Sequence, residues 1–134
     1  MADLLARRAT RFVLWRVTQT SEPPLLIIGW LQPGTPLQLV GQQTLALRPA
    51  PGFSDLWELP AAECNLVEGW VYYYWFEVTA SHPGRPPVRI RITDPLATAV
   101  DWRLLGPRLP PPFTDEDRFP AAAIKYRGGR LVDA

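Results

Sequence analysis

The sequence predicts an all-β protein built as an antiparallel β-sandwich, and three features support this. The apolar residues occur in short runs rich in β-branched and aromatic side chains, which favour strands over helices. Sixteen prolines among 134 residues are scattered between these runs and separate them at intervals of roughly 8 to 12 residues. About five to seven short strands of this kind are typical of a sandwich.

The densest aromatic run, from Gly69 to Val78, is predicted to be the central strand. Side chains on a strand alternate between two faces. One face would carry Tyr72, Tyr74, Phe76 and Val78, and the other Val71, Tyr73, Trp75 and Glu77. Because the charge of Glu77 is costly to bury unpaired, the first face is predicted to point into the core. Tyr73 and Trp75 are then expected on a wetter surface.

The other elements follow in chain order. Strands are predicted at 11–17, which is apolar at nearly every position, and at 25–31 and 53–59, which are short apolar runs closed by proline. The alternation of residues 43–48 predicts a weaker edge strand. Residues 61–68 can hold one helical turn. Residues 88–92 alternate strictly, so this strand is predicted to pair with the central strand across the 79–87 loop. Trp15 and Trp57 are assigned to the core, and Asp94 with Pro95 to a turn.

The C-terminal part has a different composition. Five prolines and the acidic cluster of Asp115, Glu116 and Asp117 occur between residues 106 and 120, as in a linker or surface strap. We therefore expect a sandwich over residues 1–105 and a proline-rich extension over 106–134. No stretch resembles a secretory signal or an apolar membrane helix, and a cytoplasmic location is the expectation.

Charge and composition exclude several classes of function. The formal net charge is +1, which gives no reason to expect a nucleic-acid or membrane partner. One cysteine and one histidine leave too few ligands for the usual zinc chemistry, so no metal and no cofactor are expected. Four carboxylates could supply a pair for glycoside cleavage, but their spacing selects no two of them: Glu58, Glu77, Asp94 and Asp101. We assign no catalytic residue and expect no enzymatic activity of this chain alone.

The order of four segments resembles a known family. They are residues 25–34, the run Gly-Phe-Ser-Asp-Leu-Trp-Glu-Leu-Pro at 52–60, residues 69–78, and Ile-Thr-Asp-Pro at 92–95. Together they are similar to the N-terminal early-set, immunoglobulin-like module of α-amylase-type glycoside hydrolases (glycoside hydrolase family 13), related to carbohydrate-binding module family 48. The resemblance covers residues 11–102. It implies an immunoglobulin-like sandwich, α-glucan as a ligand, and a catalytic α-amylase-type domain as a partner.

Exposed aromatic residues are the candidates for glucan binding, because sugar rings stack their flat C–H faces on aromatic side chains. The candidates are Trp30, Trp70, Tyr73 and Trp75. Each of them can also be packing, and Trp75 can instead be the surface on which a catalytic domain lies. The segment Ala80 to Arg85 lacks the aromatic residue that glycogen-binding members carry there, which favours the docking role. The surplus of tryptophan favours glucan binding. A free-standing protein-interaction domain is the alternative to both the glucan-binding role and the docking role.

Overall fold

The computed structural model describes residues 6–16, 22–34, 38–53, 55–80, 84, 86–107 and 118–134. Ten strands account for most of them: β1 Arg11–Trp15, β2 Leu25–Gln32, β3 Gln38–Ala46, β4 Arg48–Pro49, β5 Leu56–Pro60, β6 Val71–Ala80, β7 Val88–Ile92, β8 Val100–Leu105, β9 Pro120–Arg127 and β10 Arg130–Val132. A short 3-10 helix, Ala61–Glu63, lies within the predicted helical turn. No helix in the described ranges is long and apolar enough to cross a membrane.

The strands form two antiparallel sheets. The smaller sheet has the order β1-β5-β4, and the larger one runs β10-β9-β6-β2-β3. β6 is central, as predicted: it pairs with β2 along one edge, and β9 and β7 divide the other edge between them. The predicted pairing of residues 88–92 with the aromatic strand is confirmed, with Glu77 opposite Arg91. β3 is an edge strand, also as predicted, although it is longer than the expected segment.

One hydrophobic core lies between the sheets and makes the protein a β-sandwich. The inner face of β6 was predicted correctly, since all four of its side chains are buried: Tyr72, Tyr74, Phe76 and Val78. The smaller sheet contributes Phe12 and Leu14 from β1 and Trp57 and Leu59 from β5. Trp57 is therefore a core residue, as expected.

The prediction that Trp15 lies in the core was wrong. Its side chain is 60 % exposed, because β1 alternates and only Phe12 and Leu14 point inward. The sequence around it is apolar at nearly every position, so the alternation of the strand is hidden.

The placement of Trp75 on a wetter surface was also wrong. Trp75 is only 3 % exposed and belongs to a second cluster on the outer face of the larger sheet, together with Ile27, Leu104 and Ala121. Its indole N–H donates a hydrogen bond to the carbonyl oxygen of Phe119 at 3.0 Å. The chain beyond residue 100 therefore covers this part of the outer face.

Residues 120–132 differ from the extension that we expected. They form the β9–β10 hairpin, and β9 lies inside the larger sheet beside β6. Ala122 is opposite Tyr74 and Ala123 is opposite Tyr73, so small side chains accompany large aromatic ones across the pair. Residues 108–117, which include most of the expected strap and its acidic cluster, lie outside the described residues.

Asp94 forms the predicted turn and also joins three parts of the chain. The carboxylate, 4 % exposed, accepts a hydrogen bond from the Tyr74 hydroxyl at 2.6 Å and one from the backbone N–H of Leu96 at 2.9 Å. A guanidinium nitrogen of Arg8 lies 3.5 Å from the same carboxylate. A buried charge needs such partners, so this cluster ties the N-terminal segment and the turn to the central strand.

Candidate functional site

An aromatic groove opens where β2 separates from β6. The pairing of the two strands ends at Gly29 opposite Tyr73, whereas β2 continues beside β3 as far as Gln32 opposite Gln38. The end of β2 and the beginning of β6 therefore diverge. The space between them is a cleft of about 400 Å³ lined by Trp30, Leu31, Trp70, Val71 and Tyr73, which we call the aromatic groove.

Trp30 is fixed by its neighbours on both sides. Its ring lies over Gly41, where an added Cβ would come within 1.7 Å of the indole carbon Cζ3. On its other side Trp30 meets Trp70 edge to face, with ring centroids 5.5 Å apart. The remainder of the Trp30 side chain packs against the main core. Trp30 is thus a rigid wall of the groove.

Trp70 and Tyr73 provide the accessible rings. Trp70 is 44 % exposed, and Tyr73 is half-buried on the outer face of the sheet. Trp70 precedes β6 and also contacts Tyr72, at 6.4 Å between centroids, so its position is fixed although much of its surface meets solvent. Exposed aromatic faces held in place lose little conformational freedom when a ligand stacks on them.

The polar ends of these three side chains have no partner among the described residues. No hydrogen bond joins the indole N–H of Trp30, the indole N–H of Trp70 or the hydroxyl of Tyr73 to another described group. Buried Tyr and Trp polar atoms usually find partners within the protein, as Tyr74 and Trp75 do here. The groove thus offers both apolar ring faces and unused donors.

Asp101 and Arg103 form an ion pair on β8. Arg103 donates hydrogen bonds to both carboxylate oxygens of Asp101, the shortest at 2.6 Å. The hydrogen bond from Arg103 holds the pKa of the Asp101 carboxyl below its usual value, although partial burial opposes this. Asp101 is therefore engaged by Arg103 on the same strand.

Three of the four predicted binding residues meet in this groove. Trp30, Trp70 and Tyr73 line it together, although they come from separate parts of the chain. Trp75 lies outside it and, being buried, offers no ring face to a ligand. Sequence reasoning missed Leu31 and Val71. Both are aliphatic residues next to a candidate aromatic, and that adjacency is the one signal that could have pointed to them.

The candidate carboxylates each have a partner, and the described residues contain no group of side chains suited to a metal ion. The carboxylates considered for glycoside cleavage are engaged elsewhere: Glu58 with Arg7, Glu77 with Arg89 and Arg91, Asp94 with Tyr74 and Asp101 with Arg103. Within the described part of the chain, no three His, Cys, Asp or Glu side chains are grouped so that they can hold a metal ion.

Comparison of the chain with protein-family models, with curated proteins and with solved structures found no match. The functional argument below therefore starts from the geometry of the aromatic groove.

Proposed function

We propose that this chain is a non-catalytic carbohydrate-binding module and that the aromatic groove binds α-glucan. The observation that carries the proposal is the meeting of Trp30, Trp70 and Tyr73 around one open cleft, where their polar ends have no hydrogen-bond partner among the described residues. A cleft of about 400 Å³ lies within the range of small-molecule sites, roughly 300 to 1,000 Å³.

The chemistry of a glucan suits this arrangement. A pyranose ring has an apolar C–H face that stacks on an indole or phenol ring, and hydroxyl groups around its rim that need hydrogen-bond partners. Trp70 supplies the most accessible ring face. The indole N–H and phenol O–H groups, which have no partner among the described residues, can form hydrogen bonds with sugar hydroxyls. Burying these polar groups under an apolar ligand would instead leave them without partners, which is costly.

The resemblance of residues 11–102 adds a context to this site. In that context the sandwich is an early-set, immunoglobulin-like module that accompanies a catalytic α-amylase-type domain. The module would hold a glucan chain near the catalytic cleft, or pack on the catalytic domain and shape that cleft. The observed β-sandwich is compatible with such a module.

A second function, protein–protein interaction without carbohydrate, is favoured by one different surface. Trp102 on β8 is 71 % exposed, and Val100 and Leu105 on the same strand are also exposed. Val100 and Trp102 are two positions apart and so share one face of the strand, and a contiguous exposed apolar surface marks a docking site. It lies on a different strand from the residues that line the aromatic groove, so the two functions can be separated by substitution.

Titration of tryptophan fluorescence with maltoheptaose tests the first function. We expect a saturable change in the native protein, its loss in Trp70→Ala, and its retention in Trp102→Ala, the matched control that removes an exposed tryptophan elsewhere. Cellohexaose, which has β-linkages, should produce a weaker response. A flat titration with intact circular dichroism, or a response that Trp70→Ala leaves unchanged, would reject glucan binding in this groove and favour the interaction surface on β8.

A further inference from the structure

A second cleft lies on the outer face of the smaller sheet. It has a volume of about 330 Å³ and is lined by Ala6, Arg7, Arg11 and Phe53; we call it the basic cleft. Phe53 packs against a small cluster of Val13, Ala50 and Leu56, which lies on this outer face because Phe12 and Leu14 point into the main core. The base of the cleft is therefore fixed by packing.

The basic cleft carries an excess positive charge. Two guanidinium groups share one carboxylate: Arg7 donates to Glu58 at 2.6 Å, and the Nε atom of Arg11 lies 3.5 Å from the same carboxylate oxygen. Glu58 is almost buried, whereas the side chain of Arg11 is 38 % exposed. Arg48, which lies opposite Glu58 on the neighbouring strand, forms its own ion pair with Glu63, so this second pair adds no net charge. Among the described residues, one positive charge of the cleft thus has no compensating carboxylate.

Arg11 is the group that can act on a ligand. A guanidinium has five N–H donors, and among the described residues the two terminal nitrogens of Arg11 have no partner. Arg7 is held more firmly, by its hydrogen bond to Glu58 and by its position 4.7 Å from the centre of the Phe53 ring. Such a pair, one arginine fixed and one with free terminal donors, can receive a carboxylate in the forked geometry that arginine favours.

Trp15 extends this surface along β1. Alternation places Arg11, Val13 and Trp15 on the same outer face, and Trp15 is 60 % exposed. Four residues of strand span about 13 Å. Val13, between them, is buried under Phe53 and Leu96. A second extended chain that runs parallel to β1 over this cover would therefore place side chains four positions apart at the basic cleft and at Trp15.

We propose that this face binds an extended peptide that carries an acidic side chain and an apolar side chain four residues apart. The carboxylate enters the basic cleft and neutralises its surplus charge, and the apolar group lies on Trp15. A single negative charge matches the cleft, whereas a phosphate monoester would over-compensate it. The proposal uses no residue of the aromatic groove and does not depend on glucan binding.

Two peptides of opposite order test the proposal: acetyl-Glu-Gly-Gly-Gly-Leu-amide and acetyl-Leu-Gly-Gly-Gly-Glu-amide. Titrations are followed by NMR at the Arg11 Nε–H and the Trp15 indole N–H. We expect saturable shifts of both signals with one of the two peptides. Replacing the Glu of that peptide by Gln should increase its Kd by about tenfold or more. Arg11→Gln should weaken binding to a similar extent, and Trp15→Ser should weaken it while leaving the Arg11 shift in place.

Controls make each outcome decisive. Arg127→Gln removes an exposed arginine from the larger sheet and should leave the affinity unchanged. Arg7 continues to pair with Glu58 in Arg11→Gln, so that variant should fold, which circular dichroism checks. Absence of saturable shifts with both peptides would overturn the proposal. So would inorganic phosphate shifting Arg11 as strongly as the peptide while Trp15 remains unaffected, because the cleft would then be a simple anion site.

Discussion

Substitution of Tyr74 by phenylalanine tests whether the buried cluster around Asp94 stabilises the fold. The change removes the hydroxyl that donates to the Asp94 carboxylate at 2.6 Å and leaves the ring in place. A hydrogen bond to a charged group contributes about 1.5 to 3 kcal/mol, and a buried acceptor that loses its donor adds to the cost. Asp94 keeps the Leu96 N–H and Arg8, so we expect a loss of about 2 to 3 kcal/mol.

This loss corresponds to a readily measured shift in melting temperature. For 134 residues the entropy of unfolding near the midpoint is about 280 cal/mol/K, so 2 kcal/mol lowers Tm by about 7 °C. Differential scanning calorimetry measures it. Tyr126→Phe is the matched control, because its hydroxyl has no partner among the described residues, and we expect that variant to lose less than about 0.5 kcal/mol. Equal losses in the two variants would refute the stabilising role of the hydrogen bond.

The same substitution has a second readout in alkaline solution. Burial, together with the negative charge of Asp94, raises the pKa of Tyr74 well above its ordinary value of about 10. The folded state therefore keeps the phenol neutral after the unfolded state has begun to ionise. The stability that this group contributes is fully present below about pH 10 and is lost as the pH rises toward the folded pKa. We expect the difference between the native protein and Tyr74→Phe to shrink above pH 10. A difference that stays constant between pH 8 and pH 11 would contradict this.

Two further outcomes follow from the structure. Gly41→Ala should lower the free energy of unfolding more than Gly52→Ala does, and it should also weaken the maltoheptaose response. Both positions have positive φ, 61° and 81°. Only at Gly41 does the new Cβ collide with Trp30, which adds about 1 to 3 kcal/mol to the destabilisation. Equal costs would show that Trp30 does not lie over Gly41. Cys64 is buried, and this burial raises the pKa of its thiol to about 11. Because the thiolate is the form that reacts, reaction with Ellman's reagent at pH 8 should be about a hundredfold slower in the native protein than in guanidinium chloride. Comparable rates would contradict the burial of Cys64.

The central strand could be predicted because its own residues settle the question. Glu77 marks the outer face by its charge, and alternation then assigns Tyr72, Tyr74, Phe76 and Val78 to the core, where the structure has them. The same reasoning failed for Trp75. Its burial depends on Leu104, Ala121 and the carbonyl oxygen of Phe119, which approach from a distant part of the chain. Alternation separates the two faces of a strand but does not tell what covers each of them.

β9 escaped prediction for a related reason. Three consecutive alanines have low strand propensity and show no alternation, so residues 121–123 look like a weak apolar segment. In the sheet their small size is an advantage, because Tyr73 and Tyr74 lie directly opposite Ala123 and Ala122. The strand forms because of its neighbour, and a propensity read along one segment cannot detect this.

The aromatic groove arises from a difference in how β2 pairs with its two neighbours. The register of β2 with β3 shifts between Ile28 and Trp30, and a Cβ at Gly29 would lie 2.7 Å from the carbonyl oxygen of Val40, so the two backbones approach closely there. β2 then stays with β3 while its pairing with β6 ends at Tyr73. If the pairing with β6 continued for two more residues, Trp30 and Leu31 would lie against β6 and the cleft would close. The groove therefore depends on a local irregularity of the sheet as much as on the aromatic residues that line it. Residue type alone was enough to select Trp30, Trp70 and Tyr73 as candidates, but it could not predict that the three side chains line one groove.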